Sequence, residues 1–187
     1  MSQIKWVVLS GSLRQGSYNT QLAHLVAHKA KAFDVELTVV NLAEFPLPLF
    51  DQDIESQSGA PEAAVKLKQL IVDADVLVFA SPEYNGSISG VLKNAIDWVS
   101  RAGTLPKGNP FAGKYVGLVA ASTGALGGLR GLNHVRDIMY ILGAIVLPNP
   151  LAISKAHEAF TSTGQLKNEY FDEKLAELVA DLAAQSS

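Results

Sequence analysis

Short apolar runs alternate along the chain with segments in which apolar side chains recur every three or four positions. The apolar runs are short enough to be buried strands, and they lie at residues 4–10, 35–42, 75–80, 115–121 and 144–147. The periodic segments predict amphipathic helices at residues 19–32, 61–73, 88–100, 129–142 and 170–183. This alternation of strands and helices favours a parallel sheet with helices on both of its faces.

Five such strands fit a three-layer α/β/α sandwich with a five-stranded parallel sheet of order 2-1-3-4-5, the flavodoxin-like arrangement. The run at 75–80 is apolar throughout, as expected of a central strand that is covered on both sides. Because crossover connections are right-handed, we expect a ligand at the carboxyl ends of strands 1 and 3, where the order reverses. A chain of 187 residues fits one domain over residues 1–187.

Two segments interrupt the alternation. Residues 44–53 contain two prolines, which exclude a regular helix or a central strand, so we expect an ordered loop over the carboxyl edge of the sheet. In this loop, Asp51 and Asp53 are expected to stabilise turns and not to act as a paired acid and base. Residues 148–166 are predicted to form a loop-rich excursion before the final helix.

The first predicted strand ends in a turn rich in glycine and serine that leads directly into a helix. The turn reads Ser-Gly-Ser-Leu-Arg-Gln-Gly-Ser-Tyr-Asn-Thr. The first N–H groups of a helix are unpaired and its dipole favours an anion. The hydroxyl groups of Ser12, Ser17 and Thr20 can donate to phosphate oxygens, as can the Asn19 amide and the Arg14 guanidinium. A plain turn with a capped helix is the alternative, and two features favour a phosphate site: the position of the loop right after the first strand, and its arginine.

Two more loops follow the predicted strands that lie next in the sheet. In the sequence Pro-Glu-Tyr-Asn-Gly at residues 82–86, exposed backbone groups can meet the polar edge of a planar heterocycle and Tyr84 can lie against its face. The alternative is that Asn85 and Gly86 form an ordinary turn and that Tyr84 is a surface aromatic. After the fourth strand, a loop of small residues that begins at Ser122 could approach the other rim of such a ring.

These segments together resemble the NADPH-dependent FMN reductase family, whose members include chromate, quinone and azo-dye reductases. The resemblance rests on residues 11–19, 82–86 and 92–98 and covers about residues 4–150. It implies a flavodoxin-like fold, a tightly held FMN, NADPH or NADH as the co-substrate, and a homodimer or homotetramer. Subunit contacts are then expected at the third predicted helix and at the loop with Arg101.

The resemblance also implies which residues contact the cofactor. Residues of the first loop would hold the FMN phosphate, residues 82–86 would lie along the isoalloxazine, and Ser122 with its neighbours would close the pocket. The complete predicted set is Ser12, Leu13, Arg14, Gln15, Gly16, Ser17, Tyr18, Asn19, Thr20, Pro82, Glu83, Tyr84, Asn85, Gly86, Ser122, Thr123 and Gly124. No residue is assigned as an obligate acid or base, because the flavin supplies the chemistry.

The implied reaction passes a hydride from NAD(P)H to bound FMN and then, in a ping-pong cycle, to a small electron acceptor. A quinone, chromate, an azo dye or a flavin would serve as that acceptor. A flavodoxin-like electron carrier without small-substrate turnover is the alternative. Such carriers are strongly acidic, so the formal net charge of -3 favours the reductase.

Composition excludes several other classes of function. The charge balance gives no broad basic surface for nucleic acid or an anionic membrane. The absence of cysteine excludes disulfides, thiolate nucleophiles and cysteine-rich metal sites. With no apolar run of membrane-spanning length and no signal-peptide core, a cytoplasmic protein is expected.

Two local patterns are set aside. Residues 108–115 differ by one residue from a nucleotide-triphosphate P-loop, but Tyr115 replaces the magnesium-binding Ser or Thr, and the segment precedes a strand. His24 and His28 have a spacing that can chelate zinc on one helix face, yet the sequence offers no third ligand, so no metal site is predicted.

Overall fold

The computed structural model of the protein describes residues 3–101 and 109–185. Within these ranges, strands and helices alternate largely as the sequence predicts. In chain order they are β1 (Ile4–Ser10), α1 (Tyr18–Ala30), β2 (Val35–Asn41), a 3-10 turn (Leu42–Glu44), α2 (Gln52–Ser58), α3 (Glu62–Asp73), β3 (Val76–Ala80), β4 (Glu83–Tyr84), β5 (Ser87–Ile88), α4 (Gly90–Arg101), β6 (Tyr115–Ala121), α5 (Leu129–Ile141), β7 (Ile145–Val146), β8 (Leu151–Ile153), α6 (Ala156–Ala159) and α7 (Glu169–Gln185).

The main sheet is parallel and has the order β2-β1-β3-β6-β7, with β8 also paired to β6. The predicted order 2-1-3-4-5 is therefore confirmed, and its fifth position is divided between two short strands. β7 pairs with the first two residues of β6, whereas β8 pairs with the last three. Pro148 and Pro150 lie between them, and proline has no N–H to donate to a neighbouring strand. The segment 148–166, predicted to be rich in loops, thus contributes a strand and the short helix α6.

Alternate strand residues face two different helical layers, as the period of a strand requires. Trp6 and Val8 of β1 belong to the apolar cluster formed with α1 and α7. Val7 and Leu9 belong to the cluster formed with α3, α4 and α5. The three-layer α/β/α arrangement is confirmed, and β3 at the centre of the sheet is buried along its whole length. None of the helices in the described ranges has the length and apolarity to cross a membrane.

Two predicted loops contain regular structure. Helix α2 begins directly after Asp51, whose Oδ1 accepts a hydrogen bond from the backbone N–H of Asp53 at 2.8 Å. Asp51 therefore caps a helix, in agreement with its predicted role in the turn. The loop after β3 folds into the hairpin β4-β5, and its two connecting residues, Asn85 and Gly86, have φ values of 52° and 75°. A two-residue hairpin loop with both residues in the left-handed region is the type I′ turn that Asn-Gly favours.

Candidate functional site

A cavity of about 480 Å³ is lined by residues that follow β1, β3 and β6, at the carboxyl edge of the sheet. This is the position at which the strand order reverses and at which α/β sheets bind their ligands. Residues from all three predicted loops line it, as does Ala121, the last residue of β6. The lining residues are Ser12, Arg14, Ser17, Tyr18, Asn19, Pro82, Glu83, Tyr84, Ala121, Ser122 and Thr123.

The first loop has the properties of an anion site. Ser17 caps α1, and its hydroxyl accepts a hydrogen bond from the backbone N–H of Asn19 at 3.2 Å. The first turn of α1 carries no acidic residue, and the exposed Arg14 lies beside it. A helix provides no intrahelical acceptor for the N–H groups of its first turn. A helix N-terminus and a guanidinium together suit a phosphate group.

Asn19 connects the first loop to the end of β6. Its side chain is buried, its Oδ1 accepts from the backbone N–H of Ala121 at 2.9 Å, and its Nδ2 donates to the Ala121 carbonyl at 2.9 Å. Asn19 therefore links the first loop to β6. One amide hydrogen remains for a ligand, and binding of phosphate by Asn19 stays a prediction. The hydroxyl of Thr20 is 3.0 Å from that of Ser10, which holds it against β1.

The side chain of Glu83 is used by the protein itself. Its carboxylate accepts hydrogen bonds from Arg130 Nε at 3.0 Å and from the backbone N–H of Gly131 at 3.1 Å, and the side chain is only 9% exposed. The residue that precedes α5, Gly128, provides no side-chain cap. Glu83 therefore caps α5 from outside the helix and fixes the hairpin β4-β5 to it.

We expect Glu83→Ala to lower the free energy of unfolding by about 1–2 kcal/mol, because α5 loses its cap and Arg130 loses its carboxylate. The control Glu83→Gln keeps an acceptor for the Gly131 N–H and should lose less than half as much. Urea denaturation followed by circular dichroism measures both differences. An alanine variant as stable as the wild type would contradict the capping role.

The hairpin β4-β5 presents an aromatic ring at the edge of the cavity. Tyr84 is 52% exposed, so one side of its ring is available to a planar ligand. A second contact fixes the hairpin to α5, because the hydroxyl of Ser87 is 2.8 Å from His134 Nδ1. Asn85 and Gly86 form the turn itself and do not line the cavity.

Backbone hydrogen bonds connect the third loop to the segment 148–166, which the sequence predicted to be a loop-rich excursion. The N–H of Ser122 donates to the carbonyl of Ile153 at 3.0 Å, and the carbonyl of Ser122 accepts from the N–H of Ala156 at 3.0 Å. The hydroxyl of Ser122 accepts from the N–H of Gly124 at 3.3 Å. β8 and α6 therefore set the position of this wall of the cavity, which no local sequence pattern indicated.

The profile of the NADPH-dependent FMN reductase family matches residues 4–158. The chain belongs to this family. The match extends past residue 150, where the sequence resemblance weakens, and so includes β8 and the first residues of α6. The predicted family and the predicted class of enzyme are thereby confirmed.

Individual family members show the same relationship. An NAD(P)H-dependent FMN reductase of Pseudomonas aeruginosa is 38% identical over 178 residues, which are 94% of this chain and 89% of that protein. A quinone reductase of Escherichia coli K12 is 39% identical over 148 residues, 79% of this chain and 76% of that one. Among solved structures, the flavoenzyme NAD(P)H:(acceptor) oxidoreductase FerB of Paracoccus denitrificans has a TM-score of 0.81 at 27% identity, covering 98% of this chain and 97% of that one.

In this FMN reductase, part of the predicted residue set lies outside the cavity. These residues are Leu13, Gln15, Gly16, Thr20, Asn85, Gly86 and Gly124. Leu13 instead lines a separate apolar cavity of about 380 Å³ between the segment 42–47 and α4. Contacts of these residues with FMN stay predictions.

The patterns that were set aside have ordinary positions in the fold. His24 and His28 are exposed on α1, and the described residues contain no group of three His, Cys, Asp or Glu side chains suited to a metal ion. Gly108, the first residue of the P-loop-like segment, lies outside the described residues. Tyr115 is the first residue of β6, so the segment precedes a strand as expected.

Proposed function

We propose that the chain binds FMN in the cavity between its three loops and uses NAD(P)H to reduce a quinone or another small acceptor in a ping-pong cycle. The observation that carries this proposal is the arrangement of an anion-binding loop and an exposed aromatic hairpin around one cavity of about 480 Å³. When bound, FMN would accept a hydride from NAD(P)H and pass it to the acceptor.

The residues of the chain would bind and orient the reactants. Arg14, with Ser12 and Ser17, would hold the phosphate at the N-terminus of α1. Tyr84 would lie against one face of the ring and help to form the surface that the acceptor meets. Backbone N–H groups of residues 83–86 would stabilise the negative charge that develops on the ring during reduction.

The name of the Escherichia coli relative, a quinone reductase, favours a quinone as the first acceptor to test. Chromate, azo dyes and free flavin are further proposals for the same open site. NADPH and NADH both remain proposed donors.

An anaerobic titration of the FMN-loaded protein with NADPH and then NADH tests the function. We expect the visible flavin absorbance to bleach and to return when a quinone is added. FMN binding without bleaching by either nucleotide would favour an electron carrier instead. Failure to bind FMN would overturn the interpretation of the first loop and of the hairpin.

Initial rates test the kinetic mechanism separately. When NADPH is varied at several fixed quinone concentrations, a ping-pong cycle gives parallel double-reciprocal lines, because one product leaves before the second substrate binds. Intersecting lines would reject the ping-pong cycle while leaving the reductase activity in place.

We expect Arg14→Ala to weaken FMN affinity about 10- to 100-fold, the effect of about 1.5–3 kcal/mol for a hydrogen bond to a charged group. Riboflavin lacks the phosphate, so its affinity should be unchanged. Arg136→Ala removes one positive charge from a residue that does not line the cavity and serves as the control. Unchanged FMN affinity in Arg14→Ala, measured by flavin fluorescence, would reject the phosphate assignment.

We also propose that the protein is a cytoplasmic homodimer or homotetramer that makes contact through α4, whose last residue is Arg101. The subunit contact predicted for the segment after Arg101 falls on residues 102–108, which lie outside the described residues. Leu49 supports this surface because it is 81% exposed beside Phe50, whose ring packs edge-on against Trp98 of α4 with 5.0 Å between the centroids. Light scattering of the purified protein would measure the mass, and a monomer would contradict the proposal.

A further inference from the structure

Arg14, the cation of the first loop, is supported by an aromatic side chain. Its Cζ lies 5.3 Å from the centroid of the Tyr18 ring, a distance typical of a cation–π contact. Across the described part of the chain, no carboxylate lies within ion-pair distance of this guanidinium. The ring of Tyr18 is therefore the contact that can restrict where Arg14 points.

Tyr18 is in turn stacked on Phe160. The two rings are parallel within 2° and their centroids are 6.1 Å apart, which is an offset stack. Arg14 is exposed and Tyr18 is half-buried, whereas Phe160 is only 9% exposed and belongs to the apolar cluster of α1 and α7. Phe160, Tyr18 and Arg14 thus form a continuous stack from the core to the surface at the anion site.

The position of Phe160 is fixed by the backbone around it. Phe160 forms an antiparallel bridge with Leu166, and the carbonyl of Ala159 accepts a hydrogen bond from the N–H of Lys167 at 2.9 Å. Four residues earlier, the N–H of Ala156 donates to Ser122 in the third loop. The segment 151–166 therefore fixes the position of the Phe160 ring relative to the first loop, through Tyr18, and relative to the third loop, through Ser122.

We propose that Phe160 is a positioning residue for phosphate recognition, acting through Tyr18 on Arg14. An arginine side chain loses rotamer entropy when it is fixed, and a guanidinium already ordered by an aromatic stack loses less when it binds phosphate. This inference rests on the proposed binding of FMN in the cavity. It also gives the segment 151–166 a function, because this segment supplies the last member of the stack.

A structural role alone would predict a different pattern. Phe160→Leu keeps an apolar side chain in the core but removes the ring on which Tyr18 stacks. If Phe160 acts through Arg14, FMN affinity falls while riboflavin affinity does not, because riboflavin carries no phosphate. If Phe160 only fills the core, any loss affects both flavins equally.

The test is a fluorescence titration of full-length variants with FMN and with riboflavin. For Phe160→Leu, we expect about three- to tenfold weaker FMN affinity, the range of an aromatic pair, and unchanged riboflavin affinity. Phe160→Tyr keeps an aromatic ring at this position and should bind FMN as the wild type does. Phe171→Leu is the matched control, because Phe171 packs against the same apolar cluster and contacts the ring of Tyr170.

A double variant tests the coupling directly. In an Arg14→Ala background, Phe160→Leu should cause no further loss of FMN affinity, because the guanidinium through which it acts is absent. Additive losses, equal losses for the two flavins, or unchanged FMN affinity in Phe160→Leu would each overturn the inference. Phe160→Met also removes the ring and must show the same selectivity for FMN, and it replaces Phe160→Leu if that variant fails to fold. A wild-type protein that binds no FMN would reject the proposed function and this inference together.

Discussion

Replacement of Asn19 by alanine is expected to lower the free energy of unfolding by about 2–6 kcal/mol. The side chain makes two hydrogen bonds of 2.9 Å with the backbone of Ala121, and both partners are buried. Without the amide, the N–H and the carbonyl of Ala121 lose their partners, and each buried polar group left unsatisfied costs about 1–3 kcal/mol. FMN affinity should fall as well, because the first and third loops are no longer connected.

Urea denaturation of Asn19→Ala and of a control, Asn41→Ala, measures this effect. Asn41 is exposed and accepts one hydrogen bond from the backbone N–H of Ala43 at 3.1 Å, so its loss should cost about 1 kcal/mol or less. Asn19→Asp keeps an acceptor for the Ala121 N–H, but it loses the donor to the Ala121 carbonyl and adds a negative charge to the phosphate loop. We expect it to impair both stability and FMN binding, and a loss for Asn19→Ala no larger than that of the control would contradict the prediction.

Gly127→Ala is expected to lower the free energy of unfolding by about 2–5 kcal/mol. Gly127 lies in the loop after β6 with φ at +63°, and an added Cβ would be 2.7 Å from the backbone carbonyl carbons of Ala152 and Ile153. Backbone atoms of a paired strand cannot move aside, so overpacking of about 1–3 kcal/mol adds to about 1–2 kcal/mol of left-handed strain. Because β8 also holds Ser122, the wall of the cavity should shift.

Gly164→Ala separates the two contributions. Gly164 has φ at +82°, and an added Cβ would meet nothing within 4 Å. Only the left-handed strain remains there, so we expect a loss of about 1–2 kcal/mol. Thermal and urea denaturation of both variants gives the difference, and equal losses would show that the contact with β8 does not restrict Gly127.

The sequence predicted those features whose signals are local. The apolar run before Ser10 and the helical period after Ser17 predicted β1 and α1 within two residues. The Asn85-Gly86 pair marked a turn, which became a type I′ hairpin. The family resemblance identified the segments that line most of the cavity, and both the family and the strand order are confirmed.

Features that depend on contacts between distant residues came only from the tertiary structure. Glu83 was predicted to contact the flavin, yet its carboxylate caps a helix 48 residues further along the chain. Asn19 was predicted to bind phosphate, and its amide meets a backbone 102 residues away. The segment 148–166 completes the sheet and places Phe160 beside Tyr18.

The sequence by itself therefore determined the alternation of strands and helices, the order of the sheet and the three loops at its carboxyl edge. The alternation and the loops follow from the polarity and backbone preference of neighbouring residues, and the sheet order follows from the rules by which alternating strands and helices are connected. Only the tertiary structure decided which polar side chains are free for a ligand and which are used to hold the loops together. A carboxylate or an amide has the same chemistry in either role, and the partner that decides between them is brought near by folding.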